Sequence, residues 1–165
     1  SSGYGKKFLL ANVKDWGGGD YRDIQSGIDA LVKRGIADPD RLVQSGWSYG
    51  GYMTAWTVTQ TSRFKAARMG AGMSFMESMY LTTDIPGYIG TFFGGAPSRE
   101  TYELYRARSP VMFAERVTTP LLILHGDGDG VGVTVFPTSG RVTFGGRDLG
   151  TLDALGAGAP GRVLH

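Results

Sequence analysis

The stretch "LVQSGWSYGGYMTAW", residues 42–56, decides the fold. Its opening "LVQSG" reads as a short strand, and residues 50–59 read as a helix whose apolar Met53, Trp56 and Val58 must meet a core. Between them Ser48 stands at the centre of G-x-S-x-G, flanked by Gly46 and Gly50. Strand, sharp turn and helix in that order suit a nucleophile elbow, where a serine is held on a strained turn and flanking glycines keep clear of the neighbouring elements. The backbone N–H of Tyr49 then points at a carbonyl oxygen under attack and supplies half of an oxyanion hole. The competing reading makes Ser48 a plain helix N-cap, a frequent place for serine.

Upstream, residues 21–34 carry Ile24, Ile28, Leu31 and Val32 on one stripe of an amphipathic helix, with Asp20 as the expected N-cap and Gly35 as the stop. "DPDR", residues 38–41, is turn chemistry leading into the strand. Downstream, residues 64–72 form a weaker strand candidate, interrupted by Arg68. "PLLILHG", residues 120–126, is a continuous apolar run of the kind expected in a parallel strand covered on both faces. Residues 74–117, rich in aromatics, Gly and Pro, read as helices and loops over the sheet edge. Strands alternating with helices imply an α/β fold with a mostly parallel sheet.

Composition sets the outer limits. With 165 residues, 41% hydrophobic, the chain suffices for one compact domain or a piece of one. Seventeen basic and fifteen acidic residues leave a scattered net charge of +2, which asks for neither nucleic acid nor an anionic membrane. There is no cysteine, so disulfides and thiolate metal sites are excluded, and two isolated histidines make no metal cluster. "WGGGD" lacks the Lys and Ser/Thr of a phosphate-binding loop, and no cofactor is expected. The opening "SSGYGKKF" lacks the apolar core of a signal peptide, and a cytoplasmic location is the expectation.

Beyond Asp129 the composition changes. Of 27 glycines, 11 lie in residues 126–165, and after Asp129 there is no Lys, Glu, Asn, Gln, Ile, Met, Tyr or Trp. Residues 130–165 show no sustained period, residues 148–155 suggest a short helix, and the rest is expected to be poorly ordered. Such a mixture is what a shifted reading frame in a GC-rich gene yields, which the coding DNA would test.

The run "GWSYGGYMTAW" closely resembles the nucleophile segment of the prolyl oligopeptidase family of serine peptidases, which includes dipeptidyl peptidases and acylaminoacyl peptidases. "WGGGDYRDI", "DPDR", "DIPGY", "FFGGAP", "SP" and "TTPLLILHGDGD" follow the family's order at about its spacings, so residues 1–129 resemble part of its α/β-hydrolase catalytic domain. The resemblance implies Ser48 as nucleophile, Tyr49 as an oxyanion N–H donor, Asp129 as the acid that orients a histidine, and Tyr80 in the pocket for the residue before the scissile bond. Phe75 and Met76 are candidates for the same pocket or for ordinary core. In the family, an HGG-type segment supplying a second oxyanion donor, and usually a β-propeller, precede the region that begins here with "SSGYG".

The base is the weak link. His125, in "LILHG", matches a family histidine at a strand end that takes no part in proton transfer, and "GRVLH" around His165 does not resemble the catalytic loop. The expectation is therefore a serine peptidase by family, acting on peptide or acylaminoacyl bonds, with little or no turnover in this fragment. The alternatives are an esterase or acyl hydrolase of the same fold, using the same residues on an ester, and a non-catalytic remnant that folds with a partner chain. A homo-oligomer or a partner completing the sheet is part of that expectation.

Overall fold

The computed structural model describes residues 3–125, 141–144 and 147–151. In chain order its elements are α1 (Lys6–Leu10), α2 (Gly19–Lys33), a 3-10 turn (Pro39–Arg41), β1 (Val43–Trp47), α3 (Tyr49–Gln60) and β2 (Ala66–Gly70). Then come α4 (Met76–Thr82), α5 (Pro86–Phe93), α6 (Tyr102–Ala107), a 3-10 segment (Pro110–Arg116), β3 (Leu121–Leu124), β4 (Arg141–Phe144) and β5 (Arg147–Thr151). β1, β2 and β3 make a parallel sheet in that order, with Gly46 opposite Met69, Trp47 opposite Gly70 and Ala67 opposite Leu121. Parallel neighbours need long crossovers. Here α3 forms the first, and α4 to α6 with the second 3-10 segment form the other.

α3 is the hub because it is apolar around most of its circumference, the mark of a helix meant for the interior. Every residue from Gly51 to Thr59 is buried. Tyr52, Met53 and Trp56 join Trp16, Met73, Met76, Ile89, Phe93 and Tyr105 in the larger core, while Ala55 and Val58 pack on Ala67, Met69 and Leu121 of the sheet. The buried hydroxyls of Thr54 and Thr59 donate back to the helix, to Gly50 O at 2.8 Å and Trp56 O at 2.7 Å. Arg68, which weakens the strand pattern of β2, points out of the core and reaches Ser45 Oγ at 3.3 Å.

Tyr52 is an exception to polar satisfaction. It is fully buried, and among the described residues its hydroxyl has no hydrogen-bond partner. Burial pushes its pKa up, so the hydroxyl stays protonated. Removing an unsatisfied polar atom relieves a desolvation cost. Tyr52→Phe is expected to leave stability in urea unchanged or to raise it by about 1 kcal/mol. A loss of that size instead would mean that the hydroxyl is partnered in solution.

The start of α2 departs from the sequence expectation. Asp15, not Asp20, receives the first helical N–H: Gly19 N donates to Asp15 Oδ2 at 2.8 Å. The three-glycine turn between Trp16 and Asp20 folds the chain back far enough for Asp15 to reach, and Arg108 Nη2 holds the other oxygen at 3.1 Å. Asp20 falls inside the first turn and turns elsewhere. No residue of α2 is buried, and Ile24 and Leu31 on its apolar stripe are open. Among the described residues β1 and β3 are the two edges of the three-stranded sheet, and on β1 Val43 is 64% and Trp47 61% exposed.

Where a short helix was expected at residues 148–155, Arg147–Thr151 forms a strand, β5, antiparallel to β4. Val142, Thr143, Phe144 and Thr151 favour extended backbone, and two glycines lie between Phe144 and Arg147 in the sequence, a composition suited to a hairpin. Residues 152–155, and most of the segment expected to be poorly ordered, lie outside the described residues.

Candidate active site

β1 ends at Trp47 and α3 begins at Tyr49, leaving Ser48 alone to reverse the chain. It does so at φ 54°, ψ −117°, a region that residues with a Cβ rarely adopt. Such a conformation costs roughly 1–3 kcal/mol and must be held by its surroundings. Here Ser48 N donates to Gly70 O at 3.0 Å, and Ser48 O accepts from Tyr52 N at 3.0 Å. Its side chain makes no capping hydrogen bond and is exposed. A capping serine would take extended backbone and turn its oxygen onto the helix N–H groups. Ser48 does neither.

The two glycines flanking the serine are not equivalent. A Cβ on Gly46 would lie 2.2 Å from Gly50 O and 2.3 Å from Gly50 C, inside the first turn of α3. A Cβ on Gly50 would meet nothing within 4 Å. The expectation that both keep clear of neighbours therefore holds for Gly46 and is corrected for Gly50, which faces open space beside the free edge.

Tyr49 provides the first N–H of α3, one of the four amides at a helix start that have no partner within the helix. The helix dipole adds partial positive charge there, suited to an oxygen gaining negative charge. Its side chain turns inward. The ring stands edge-on to Trp16 at 4.7 Å, Tyr49 Oη donates to Asp20 Oδ2, and Asn12 Nδ2 donates to Tyr49 Oη at 3.4 Å. Burial first, then the hydrogen bond to Asp20 and its charge, push the Tyr49 pKa far above the ordinary tyrosine value.

Tyr80 lies on α4, half-buried, with its ring edge-on to Tyr105 at 6.2 Å. Met76 is fully buried in the larger core, its N–H donating to Ser109 Oγ at 2.9 Å, and Phe75 precedes it at the start of α4. His125 follows the last residue of β3 and is half-buried. Asp129 and His165 lie outside the described residues. Among the described residues no group of three or more His, Asp or Glu side chains could hold a metal ion, and no helix is long and apolar enough to cross a membrane. Asn12 was not singled out from the sequence, and Asp20 was read only as a helix cap. The signal was the "WGGGDYRD" block, whose spacing says nothing about a partner 29 residues away.

A parallel sheet that delivers a positive-φ serine to the N-terminus of a buried helix is the architecture of the α/β-hydrolases. The prolyl oligopeptidase family model matches residues 1–135, and the chain belongs to that family. The match carries past Asp129, where the sequence resemblance was expected to stop. An uncharacterized peptidase, YuxL, of Bacillus subtilis is 42% identical over 130 residues, covering 78% of this chain and 20% of that protein. A puromycin-hydrolyzing peptidase of Mycobacterium tuberculosis superposes with a TM-score of 0.71 at 37% identity, over 76% of this chain and 19% of its own. Pyrococcus horikoshii acylaminoacyl peptidase gives 0.68 at 35% identity, over 74% and 20%. The chain thus spans about a fifth of the length of these relatives.

Proposed function

We propose that this chain carries the nucleophile segment of a serine peptidase acting on peptide or acylaminoacyl bonds. The conformation of Ser48 is the observation that supports it most. Ser48 Oγ attacks the carbonyl carbon, its proton passes to a base, and the N–H of Tyr49 donates to the oxygen as it becomes negative. The amine then leaves with a proton, and water hydrolyses the acyl-enzyme. Asp129 orients the base in this reading, and Tyr80 lines the pocket for the residue before the scissile bond. Neither His125 nor His165 is assigned as the base, so turnover by these 165 residues alone is expected to be low.

The free edge of β1 favours a companion reading, in which a further strand completes the sheet. Beside that edge lies a groove of about 820 Å³ whose lining includes Phe8, Leu9, Ile24, Gln44 and Ser45. Unpaired strand edges and contiguous exposed apolar groups invite pairing. The strand would come from a longer version of the chain or from a partner, and without it the segment is a non-catalytic remnant.

Fluorophosphonate labelling of the purified chain tests the first reading. Covalent labelling that Ser48→Ala abolishes is the result that supports it. A chain that circular dichroism shows to be folded, yet is never labelled, would remove the catalytic reading and leave the remnant.

A further inference from the structure

The "WGGGDYRD" block takes no part in the chemistry assigned above, yet the fold brings it against the residue that follows the nucleophile. The Gly17–Gly19 turn seats Trp16 in the core and starts α2 so that Asp20 faces α3. Asp20 Oδ1 accepts the N–H of Tyr21 at 2.8 Å, which sets the carboxylate's direction, and Oδ2 accepts the Tyr49 hydroxyl. Asn12 donates to that same hydroxyl oxygen. Asp20, Tyr49 and Asn12 thus form a chain of hydrogen bonds ending on the residue whose backbone N–H is the oxyanion donor.

The N–H in question belongs to the peptide between Ser48 and Tyr49. One side of that peptide is held, since Ser48 O accepts from Tyr52 N and Ser48 N donates to Gly70 O. On the other side the Cα of Tyr49 is steered by its own side chain, which the Asp20 carboxylate and the Trp16 ring hold in place. Phenylalanine would make the same ring contacts with Trp16 and Tyr52, at 4.7 and 5.5 Å, without bringing a hydroxyl into a half-buried site. The hydroxyl therefore adds direction where the ring supplies only area. An oxyanion hole depends on direction, because the donor must already point where charge develops.

We propose that Asp20 is a positioning residue for the oxyanion donor, fixing the orientation of the Tyr49 N–H through the Tyr49 hydroxyl. This rests on the serine hydrolase reading of Ser48. Asp20 touches no substrate in this scheme.

The test uses the full chain and three variants, Tyr49→Phe, Asp20→Ala and Asp20→Asn. Two quantities are followed: the rate of fluorophosphonate labelling of Ser48, and the amide resonance of Tyr49 in 15N-tyrosine-labelled protein. Tyr49→Phe and Asp20→Ala should each slow labelling about tenfold, a fraction of the effect of deleting a donor outright. Asp20→Asn, whose amide oxygen can still accept the hydroxyl, should recover most of the rate. The amide resonance should move in Asp20→Ala and stay near its original position in Asp20→Asn. Equal labelling rates in all forms would overturn the proposal. So would a loss that Asp20→Asn does not rescue and that follows the thermal midpoint. Should the unmodified chain not label at all, the peptidase reading fails by itself, and the resonance decides the tether: movement in Asp20→Ala with recovery in Asp20→Asn supports it, and an unmoved resonance overturns it.

Discussion

Gly46→Ala is expected to lower stability by about 3 kcal/mol or more, at or beyond the usual range for overpacking, because its new methyl group meets backbone. Its Cβ would stand 2.2 Å from Gly50 O, and that oxygen belongs to the turn that starts α3. Relief requires β1 and α3 to part, which draws Tyr52, Met53 and Trp56 out of the core. The same movement releases Ser48 from its positive-φ conformation, so fluorophosphonate labelling should be lost along with stability. Gly50→Ala is the control. Its Cβ enters open space and its φ is not positive, and alanine favours helix over glycine by about 1 kcal/mol. That variant should be neutral or slightly more stable. Urea unfolding of the two proteins checks both, and similar losses in the pair would show that the elbow is not closed as described.

Trp56→Ala is expected to cost about 3–5 kcal/mol, the range for removing a large aromatic from a core. Trp56 is 6% exposed, lies nearly parallel to Tyr52 at 6.3 Å between centroids and meets Phe113 edge-on at 5.8 Å. Its Nε1 donates to Gly17 O at 2.7 Å and so ties α3 to the glycine turn ahead of α2. Gly17 is at φ +72°, and a Cβ there would lie 2.6 Å from the indole. Trp56→Phe separates the two contributions. It keeps much of the apolar area but leaves the Gly17 carbonyl without its donor, a loss of about 1–3 kcal/mol. Equal stability of Trp56→Phe and the unmodified chain would mean that the hydrogen bond adds nothing.

The elements built on near neighbours were legible in the sequence. A glycine-flanked serine between an apolar strand and an apolar helix can reverse the chain in few ways, and the structure has β1, Ser48 and α3 in that arrangement. "PLLILHG" was readable as a strand, and β3 lies within it, but the cover expected on both faces is incomplete: of β3 only Leu121 is buried, and Leu124 at the edge is exposed. Such features follow from backbone sterics and from the period of side chains along one element. Both are properties of adjacent residues.

Tertiary structure decided what depends on which distant groups meet. Gly46 and Gly50 look alike in G-x-S-x-G, yet only Gly46 is pressed by backbone. The sequence pattern points to Asp20 as the residue that starts α2, but the glycine turn gives the task to Asp15 and frees Asp20 for the Tyr49 hydroxyl. The stripe of Ile24 and Leu31 is plain in the sequence, whereas its exposure is set by the fold, which buries no residue of α2. The amino-acid order alone was enough for the strand, serine and helix of the elbow, for β3 and for the family of this protein. The fold alone determined which glycine is indispensable, which carboxylate is spent and which face stays open, because those outcomes rest on distances between residues tens of positions apart, and no periodicity along the chain encodes a distance across it.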